Sequence, residues 1–183
     1  DPVPGALVYI PNSLNGAIDP FTPGVTCDQC GANVSGSPLV TTTTAVDGTF
    51  SLTNVPCGVD VPVVIQMGRW RRKVVVPAVQ CCVTTTMTNA QTHLPRNKAE
   101  GDIPAIAVVT GNADPMECVL PKIGIDTAEF TDPNGTGRVN FYQASTAGAG
   151  ATISGATPKD TALWGNLTTM KKYDLIIIDC EFT

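Results

Sequence analysis

Four consecutive bulky aliphatic residues, Leu175-Ile176-Ile177-Ile178, constrain the fold of this chain more than any other feature. Successive side chains of a β-strand point to opposite faces of the sheet, so this run presents apolar surface on both sides. Such strands belong to parallel sheets whose two faces are covered by helices. Because three strands and two helices would cover a central strand poorly, we expect residues 101–183 to begin a larger α/β domain or to be completed by another chain.

The residues before this run alternate between strand and helix patterns, which indicates parallel strands joined by crossover helices. Asp114, Pro115 and Glu117 suit the first positions of a helix, and Pro121 should end that helix early. The predicted elements are a strand at 103–110, a helix from Asp114, a strand at 139–142, a helix at 161–172 and a strand at 173–179.

The first half of the chain has the composition of short strands and turns, because it is rich in Val and Thr and has Pro or Gly every few residues. Asp47-Gly48 and Met67-Gly68 each lie between two β-rich runs and predict hairpins. The runs are 38–44 and 49–52 around the first turn, and 61–66 and 69–76 around the second. Several closely spaced strands without a helical period predict an all-β sandwich.

The two halves also differ in charge. Residues 1–88 contain five acidic and four basic residues, and residues 89–183 contain eleven and seven. We therefore predict a two-domain chain, with a β-sandwich at 1–88, a linker or surface loop at 89–102 and a probably incomplete α/β domain at 103–183.

Composition excludes several classes of protein. With 43% hydrophobic and 15% charged residues, the chain is not intrinsically disordered. A net charge of −5 and a pI near 4.6 oppose binding to nucleic acid or anionic lipid. No apolar run has the length of a transmembrane helix. The first residues, Asp1-Pro2-Val3-Pro4-Gly5, contain neither the basic n-region nor the apolar h-region of a signal peptide, so we expect a soluble chain or one processed before Asp1.

Seven cysteines, five of them in the first half, predict disulfides and hence an extracellular, cell-surface or periplasmic location. The disulfide candidates are Cys27, Cys30, Cys57, Cys81 and Cys82. A bridge from Cys57 to Cys81 or Cys82 is the first choice, and adjacent Cys81 and Cys82 should reach different partners from opposite sides of a strand. The alternative is a zinc site formed by Cys27, Cys30, Cys81 and Cys82. Covalent haem is rejected because residue 31 is Gly.

Four of the eleven basic residues surround one tryptophan, in Arg69-Trp70-Arg71-Arg72-Lys73. In a strand, Arg69, Arg71 and Lys73 would share one face. The functional interpretation is a contact for an anionic polymer or glycan, with Trp70 as a stacking platform. The alternative is a charged face that prevents aggregation through a sheet edge.

The carboxyl ends of the predicted parallel strands are the second candidate site, because ligands of open α/β sheets bind there. Its residues are Thr110, Gly111, Asp114, Cys118 and Cys180, and the alternative for the two cysteines is a place in the core. A turn-rich stretch with Asp126, Glu129, Asp132 and Asn134 could bind Ca²⁺ or be a solvated loop. His93, the only histidine, is predicted to be a solvated loop residue. No catalytic residue, metal or cofactor is assigned.

The first half resembles the carboxypeptidase regulatory-like domain, a prealbumin- or transthyretin-like β-sandwich. The matching stretches are residues 5–10, 44–50 with the Asp-Gly-x-Phe turn at 47–50, and 54–58 with the Pro-x-Gly loop at 56–58. The resemblance implies a non-catalytic module that acts as a spacer, a folding aid or a ligand-binding domain in secreted proteins.

The second half is similar, more faintly, to the start of ThuA-like or class I amidotransferase-like α/β domains, which some secreted bacterial proteins pair with such a sandwich. The matching stretches are 106–111, 117–124 and 173–180. Amidotransferases place their nucleophile in Gly-x-Cys-x-Gly, and neither glycine is present around Cys180, so no nucleophile is assigned there.

Together these features predict a secreted or surface-attached bacterial protein that serves binding or assembly rather than catalysis, since it has one histidine and no recognised nucleophile. Its expected partners are further copies of itself, another envelope protein or a polysaccharide, without nucleic acid or a transmembrane segment. The alternative is the N-terminal part of a secreted hydrolase or amidotransferase-like enzyme.

Overall fold

The computed structural model describes residues 2–26, 34–145 and 150–179. The chain forms two compact units, Asp1–Phe21 with Asp28–Pro95, and Thr22–Cys27 with Arg96–Thr183. The chain passes from the first unit to the second between Pro95 and Arg96, inside the stretch predicted as a linker. That stretch is structured on both sides of the boundary: helix α1 (Asn89–Thr92) precedes it, and Arg96 forms an ion pair with Glu100 after it.

The first unit contains four antiparallel strands in the order β2-β1-β3-β4. They are β1 (Leu7–Pro11), β2 (Pro38–Thr43), β3 (Val61–Met67) and β4 (Trp70–Val76). The hairpin predicted around Met67-Gly68 is confirmed as β3–β4. The Asp47-Gly48 turn forms, but residues 49–52 do not continue it as a strand, because Phe50 and Leu52 pack against the core instead.

A cluster of buried residues lies on one face of the sheet and follows the two-residue period of its strands, and Tyr9 and Val64 at alternate positions are buried as well. The described residues of this unit form one four-stranded sheet with loop residues packed against the cluster, which establishes an antiparallel β-unit. The buried core residues are Ala6, Val8, Ile10, Val61, Val63, Ile65 and Val76, and the loop residues against them include Phe50, Leu52, Val55, Val79 and Met87.

The second unit contains a parallel sheet in the order β6-β7-β5-β8, as the alternating pattern predicts. Its strands are β5 (Ile106–Thr110), β6 (Phe130–Thr131), β7 (Val139–Gln143) and β8 (Leu175–Ile178). Its helices are α2 (Val119–Lys122), α3 (Thr161–Trp164) and α4 (Leu167–Met170). No helix in the described ranges is long and apolar enough to cross a membrane.

The helices are shorter than predicted. The stretch 161–172 is broken at Gly165 and Asn166, where the Asn166 side chain accepts hydrogen bonds from Thr168 N and Thr169 N and so caps α4. The helix predicted from Asp114 begins instead at Met116, as a 3₁₀ turn that leads into α2.

The central strand is β5, which is buried along its whole length, and not β8. In the described part of the chain β8 pairs with β5 alone, and its Leu175 and Ile178 are 43% and 59% exposed. The prediction that a larger domain or another chain completes the sheet beside β8 stays a prediction, because apolar side chains indicate how the faces of a strand are covered, whereas its edges pair through the backbone.

Candidate functional site

A cavity of about 330 Å³ lies in the second unit, beside the amino-terminal ends of its parallel strands. Ala105, Arg138 and Tyr173 line it and lie immediately before β5, immediately before β7 and two residues before β8. This volume falls in the range of small-molecule sites. The other lining residues are Pro133, Asn134, Gly137, Asn140, Tyr142, Pro158, Ala162, Thr169 and Lys172.

A chain of hydrogen bonds forms the polar wall of this cavity. Asn140 and Tyr142 are two positions apart on β7 and therefore share a face of the sheet. The Tyr173 hydroxyl donates to Asn140 Oδ1 at 3.1 Å and lies 2.9 Å from the Tyr142 hydroxyl. Because the only proton of the Tyr173 hydroxyl goes to Asn140, Tyr142 must donate to Tyr173.

This direction of donation decides what the wall can offer to a ligand. A phenolic oxygen can accept hydrogen bonds as well as donate one, so both tyrosines keep lone pairs for hydroxyl or amine donors. Asn140 is held in turn, because its Nδ2 donates to Thr131 Oγ1 at 3.1 Å. Burial raises the pKa of both Tyr142 and Tyr173 above the usual 10.0, so the two phenols are neutral at physiological pH.

Two cations complete the cavity, Arg138 and Lys172. The backbone of Arg138 is fixed: its N–H donates to Glu129 Oε2 at 3.0 Å and its carbonyl accepts from Ile106 N at 2.7 Å. Neither its guanidinium nor the Lys172 ammonium forms an ion pair with a described residue. The lining residues include no carboxylate within the described ranges, and the nearest carboxylates, Glu129 and Asp174, accept hydrogen bonds from the backbone of Arg138 and Ala105.

Gly137 allows the chain to bring Arg138 to this position. A Cβ atom at Gly137 would lie 2.1 Å from the Glu129 carbonyl oxygen, closer than any side chain can approach. The glycine therefore lets the turn before β7 pass directly against the residues before β6, and Arg138 follows it at the cavity.

The residues predicted at the carboxyl ends of the strands do not line this cavity. Thr110 Oγ1 donates to the Ala151 carbonyl at 2.7 Å, and Gly111 N donates to Asp179 Oδ2 at 3.2 Å. Asp114 and Cys118 are exposed, and Cys118 is a free thiol. Cys180 lies outside the described residues.

The basic side chains of residues 69–73 contact other residues of the first unit. Arg71 is 3% exposed, lies 4.0 Å from the centre of the Phe21 ring and donates to the Asp19 carbonyl at 2.8 Å. Lys73 donates to the Gly16 carbonyl at 3.2 Å, the guanidinium of Arg69 lies 5.6 Å from the Phe21 ring, and Trp70 is half-buried.

Arg72, on the other face of β4, donates to the carbonyl of His93 at 3.2 Å and also contacts the ring atom Nε2. His93 is half-buried, so the prediction of a solvated histidine was wrong. The physical reason is that the residues after α1 fold back onto the first unit.

The first-choice disulfide, Cys57–Cys81, is confirmed. Cys82 is a free, exposed thiol with φ at 60°, because it lies in a turn rather than in a strand, so the expectation that it also reaches a partner was wrong. Cys81 is thereby lost as a zinc ligand. No group of three or more His, Cys, Asp or Glu side chains that could hold a metal occurs within the described residues. Cys27 and Cys30 lie outside them.

The acidic residues considered for calcium serve separate partners. Asp126 accepts from Asn97 Nδ2, and Glu129 accepts from the backbone of Lys98 and Arg138. Asp132 accepts from the hydroxyls of Ser154 and Thr157, and Asn134 lines the cavity. These contacts are those of a protein interior, and they do not gather the carboxylates around one point.

Apart from Asn134, the sequence analysis singled out no residue of the cavity. The available signal was that Tyr142 and Tyr173, two of the three tyrosines in the chain, lie in or directly before segments predicted to be buried strands, where a phenol needs a partner. Comparison with protein families, with curated proteins and with solved structures finds no match to the chain.

Proposed function

We propose that this protein is a secreted or cell-surface binding protein whose second unit holds a small polyhydroxylated anion of the sugar-acid class. The observation that carries the proposal is the cavity in which Arg138 and Lys172, without ion-pair partners among the described residues, lie beside the hydrogen-bonded phenols of Tyr142 and Tyr173.

The chemistry of such a ligand matches both parts of the cavity. Its carboxylate would neutralise the two cations, with Arg138 able to bind both oxygens at once. Its hydroxyl groups would donate to the oxygens of Tyr142 and Tyr173. Binding is favoured over catalysis because the raised pKa values keep both phenols protonated, so no phenolate is available as a base, and the lining residues within the described ranges include no carboxylate, histidine or cysteine.

The location is part of the same proposal. The Cys57–Cys81 disulfide supports an oxidising compartment, as in the extracellular space, at the cell surface or in the periplasm. Within this proposal the first unit is a carboxypeptidase regulatory-like, transthyretin-like sandwich, and the second begins a ThuA-like or amidotransferase-like α/β domain. An antiparallel sheet followed by a parallel sheet supports this pairing, as does the turn in which Asp47 Oδ1 accepts from Thr49 N at 3.0 Å.

Isothermal titration with D-glucuronate tests the proposed ligand class, with D-glucose as the neutral analogue. We expect glucuronate to bind and glucose to bind at least about tenfold more weakly, because glucose lacks the carboxylate. Arg138→Gln and Lys172→Gln should each weaken glucuronate binding. Lys122→Gln, which removes an equal charge from α2 outside the cavity, should not. Equal binding of the two sugars, absence of binding at millimolar glucuronate, or an equal effect of Lys122→Gln would refute the proposal.

A second candidate role, as a subunit of an extracellular assembly, rests on the edge strand β8. Its outer edge has no partner strand within the described residues, and Leu175 and Ile178 are exposed beside it. We infer that a second copy of the chain pairs there through its own β8, because an exposed apolar edge strand is a template for strand addition.

Sedimentation equilibrium tests this pairing. We expect the wild-type chain to form dimers and Ile178→Lys to be monomeric, because a lysine on an edge strand opposes pairing. Val119→Lys places the same charge on an exposed residue of α2 and should leave the dimer intact. A monomeric wild type, or an Ile178→Lys variant that still forms dimers, would contradict the assembly role.

A further inference from the structure

Two acidic residues meet at the opposite end of the parallel sheet from the cavity. Asp179 directly follows β8, Gly111 directly follows β5, and Glu117 lies in the 3₁₀ turn Met116–Cys118 that comes after β5. After β5 the chain adds β6 and β7 on one side of that strand and then β8 on the other side. The order in which strands are added therefore reverses at β5. In open α/β sheets the carboxyl ends of the strands at such a point form the ligand crevice.

Asp179 is held firmly at this point. It is 3% exposed, its N–H donates to the Val109 carbonyl at 3.2 Å, and its Oδ2 accepts from Gly111 N at 3.2 Å. Its other carboxylate oxygen, Oδ1, is buried and has no hydrogen-bond partner. A buried carboxylate oxygen without a donor is costly, so its position calls for an explanation.

Glu117 also has a buried carboxylate oxygen, Oε2, which has no hydrogen-bond partner outside the acidic pair. The two carboxyl groups hydrogen-bond to each other and so share a proton. Burial is the main cause that raises the pKa of Asp179, the Gly111 and Met116 amides oppose this, and the charge and hydrogen bond of Glu117 raise the pKa further. No basic side chain among the described residues forms an ion pair or hydrogen bond with either carboxyl group.

We propose that Asp179 Oδ1 and Glu117 Oε2 bind a divalent cation of the Mg²⁺ class. Carboxylate oxygens are the ligands that hard divalent cations prefer, and Mg²⁺ commonly takes one or two carboxylates and completes its shell with water. A cation would replace the proton that the two carboxyl groups share and would bind Asp179 Oδ1 and Glu117 Oε2 at once. The proposal is independent of the sugar-acid cavity, because the two sites share no residue.

Mn²⁺ titration followed by electron paramagnetic resonance tests this site, since binding removes the signal of the free aqueous ion. We expect one Mn²⁺ to bind per chain and Mg²⁺ to displace it. Asp179→Asn and Glu117→Gln should each weaken Mn²⁺ binding by at least about tenfold, because loss of a ligand should cost no less than loss of a residue that merely orients one. Asp114→Asn removes an exposed carboxylate from the same loop and should change nothing.

Thermal unfolding without divalent cations shows whether the variants fold. Asp179→Asn keeps an amide oxygen that can accept from Gly111 N, so it should fold like the wild type. If it does not fold, the half-buried Glu117 carries the test through Glu117→Gln. Absence of Mn²⁺ binding in the wild type would overturn the proposal. An unchanged affinity in a folded Asp179→Asn or Glu117→Gln variant, or an equal loss in Asp114→Asn, would also overturn it.

Discussion

Among single residues of the second unit, Tyr173 combines two buried hydrogen bonds with a packed aromatic ring. Its hydroxyl accepts a hydrogen bond from Tyr142 and donates one to Asn140, and its ring meets the Tyr142 ring edge to face at 6.1 Å. Both rings belong to the buried cluster that also contains Ala107, Val109 and Leu163. One side chain therefore joins the apolar core to the polar wall of the cavity.

Tyr173→Phe should lower the free energy of unfolding by about 2 kcal/mol, because it leaves the Tyr142 donor and the Asn140 acceptor buried without partners. Tyr142→Phe should cost less, about 1 kcal/mol, because the bond from Tyr173 to Asn140 survives. Urea unfolding of both variants measures the difference. An equal loss in the two variants would show that the direction of the hydrogen-bond chain is wrong.

At the scale of elements, the helices of this chain are too short to form on their own. Each of the four α-helices within the described ranges has four residues, whereas isolated helices need roughly 12 or more to be even marginally stable. Their ends are held by side chains instead. Asp160 accepts from Thr161 N at α3, and Asn166 caps α4. The strands and the disulfide therefore contribute most of the order.

The Cys57–Cys81 bridge joins the loop before β3 to the turn after β4. It therefore closes the β3–β4 hairpin at its open end. Replacing both cysteines by serine should lower the free energy of unfolding of the first unit by about 3 kcal/mol, mainly because the unfolded chain regains the entropy of a 24-residue separation. Denaturant unfolding measures this loss. Cys82→Ser should have no effect, and a comparable loss there would contradict the pairing.

At the scale of the whole molecule, every tyrosine of the chain is buried. The chain has three, Tyr9 in the first unit and Tyr142 and Tyr173 in the second, and burial raises the pKa of each above the usual 10.0. A raised pKa in the folded state means that the neutral phenol favours folding. This stabilisation is fully present below pH 10 and is lost as the pH rises through the pKa values of the folded state.

An alkaline titration in which phenolate absorbance is recorded at each pH checks this expectation. The chain unfolded in guanidinium chloride should titrate near the ordinary value of 10.0. The native protein should show little phenolate at that pH and then titrate steeply together with loss of structure, which circular dichroism can follow. A native protein that titrates near 10 while it remains folded would show that the phenols are open to solvent.

Much of the secondary structure could be predicted because it depends on local pattern. The β3–β4 hairpin follows from a glycine turn between β-rich runs, and the parallel sheet follows from alternating strand and helix patterns. A bridge from Cys57 to Cys81 or Cys82 was the first choice of pairing, and the structure has Cys57–Cys81. The predictions that failed, such as a strand at 49–52 and one long helix at 161–172, concern segments whose packing or end caps outweigh local preference.

The functional residues were harder to predict, because a site consists of side chains that are distant in sequence. The rule for carboxyl ends of strands pointed, through Thr110 and Gly111, to the end of the sheet at which we propose the cation site, but Glu117 was interpreted only as a helix-start residue and Asp179 as part of a strand. Whether a carboxyl group is partnered depends on which donors the fold brings to it, and spacing along the chain does not contain that information.

The sequence by itself determined the order of the elements and the class of each sheet, since strand period, turn residues and apolar runs are properties of neighbouring residues. Only the tertiary structure decided that β5 is central and β8 an edge, that Tyr142, Tyr173 and Asn140 share one hydrogen-bond chain, and that Arg138 meets Lys172 at one cavity. These facts depend on contacts between residues far apart in the sequence, such as Ile106 and Leu175, which are 69 positions apart, and such contacts exist only once the backbone has folded.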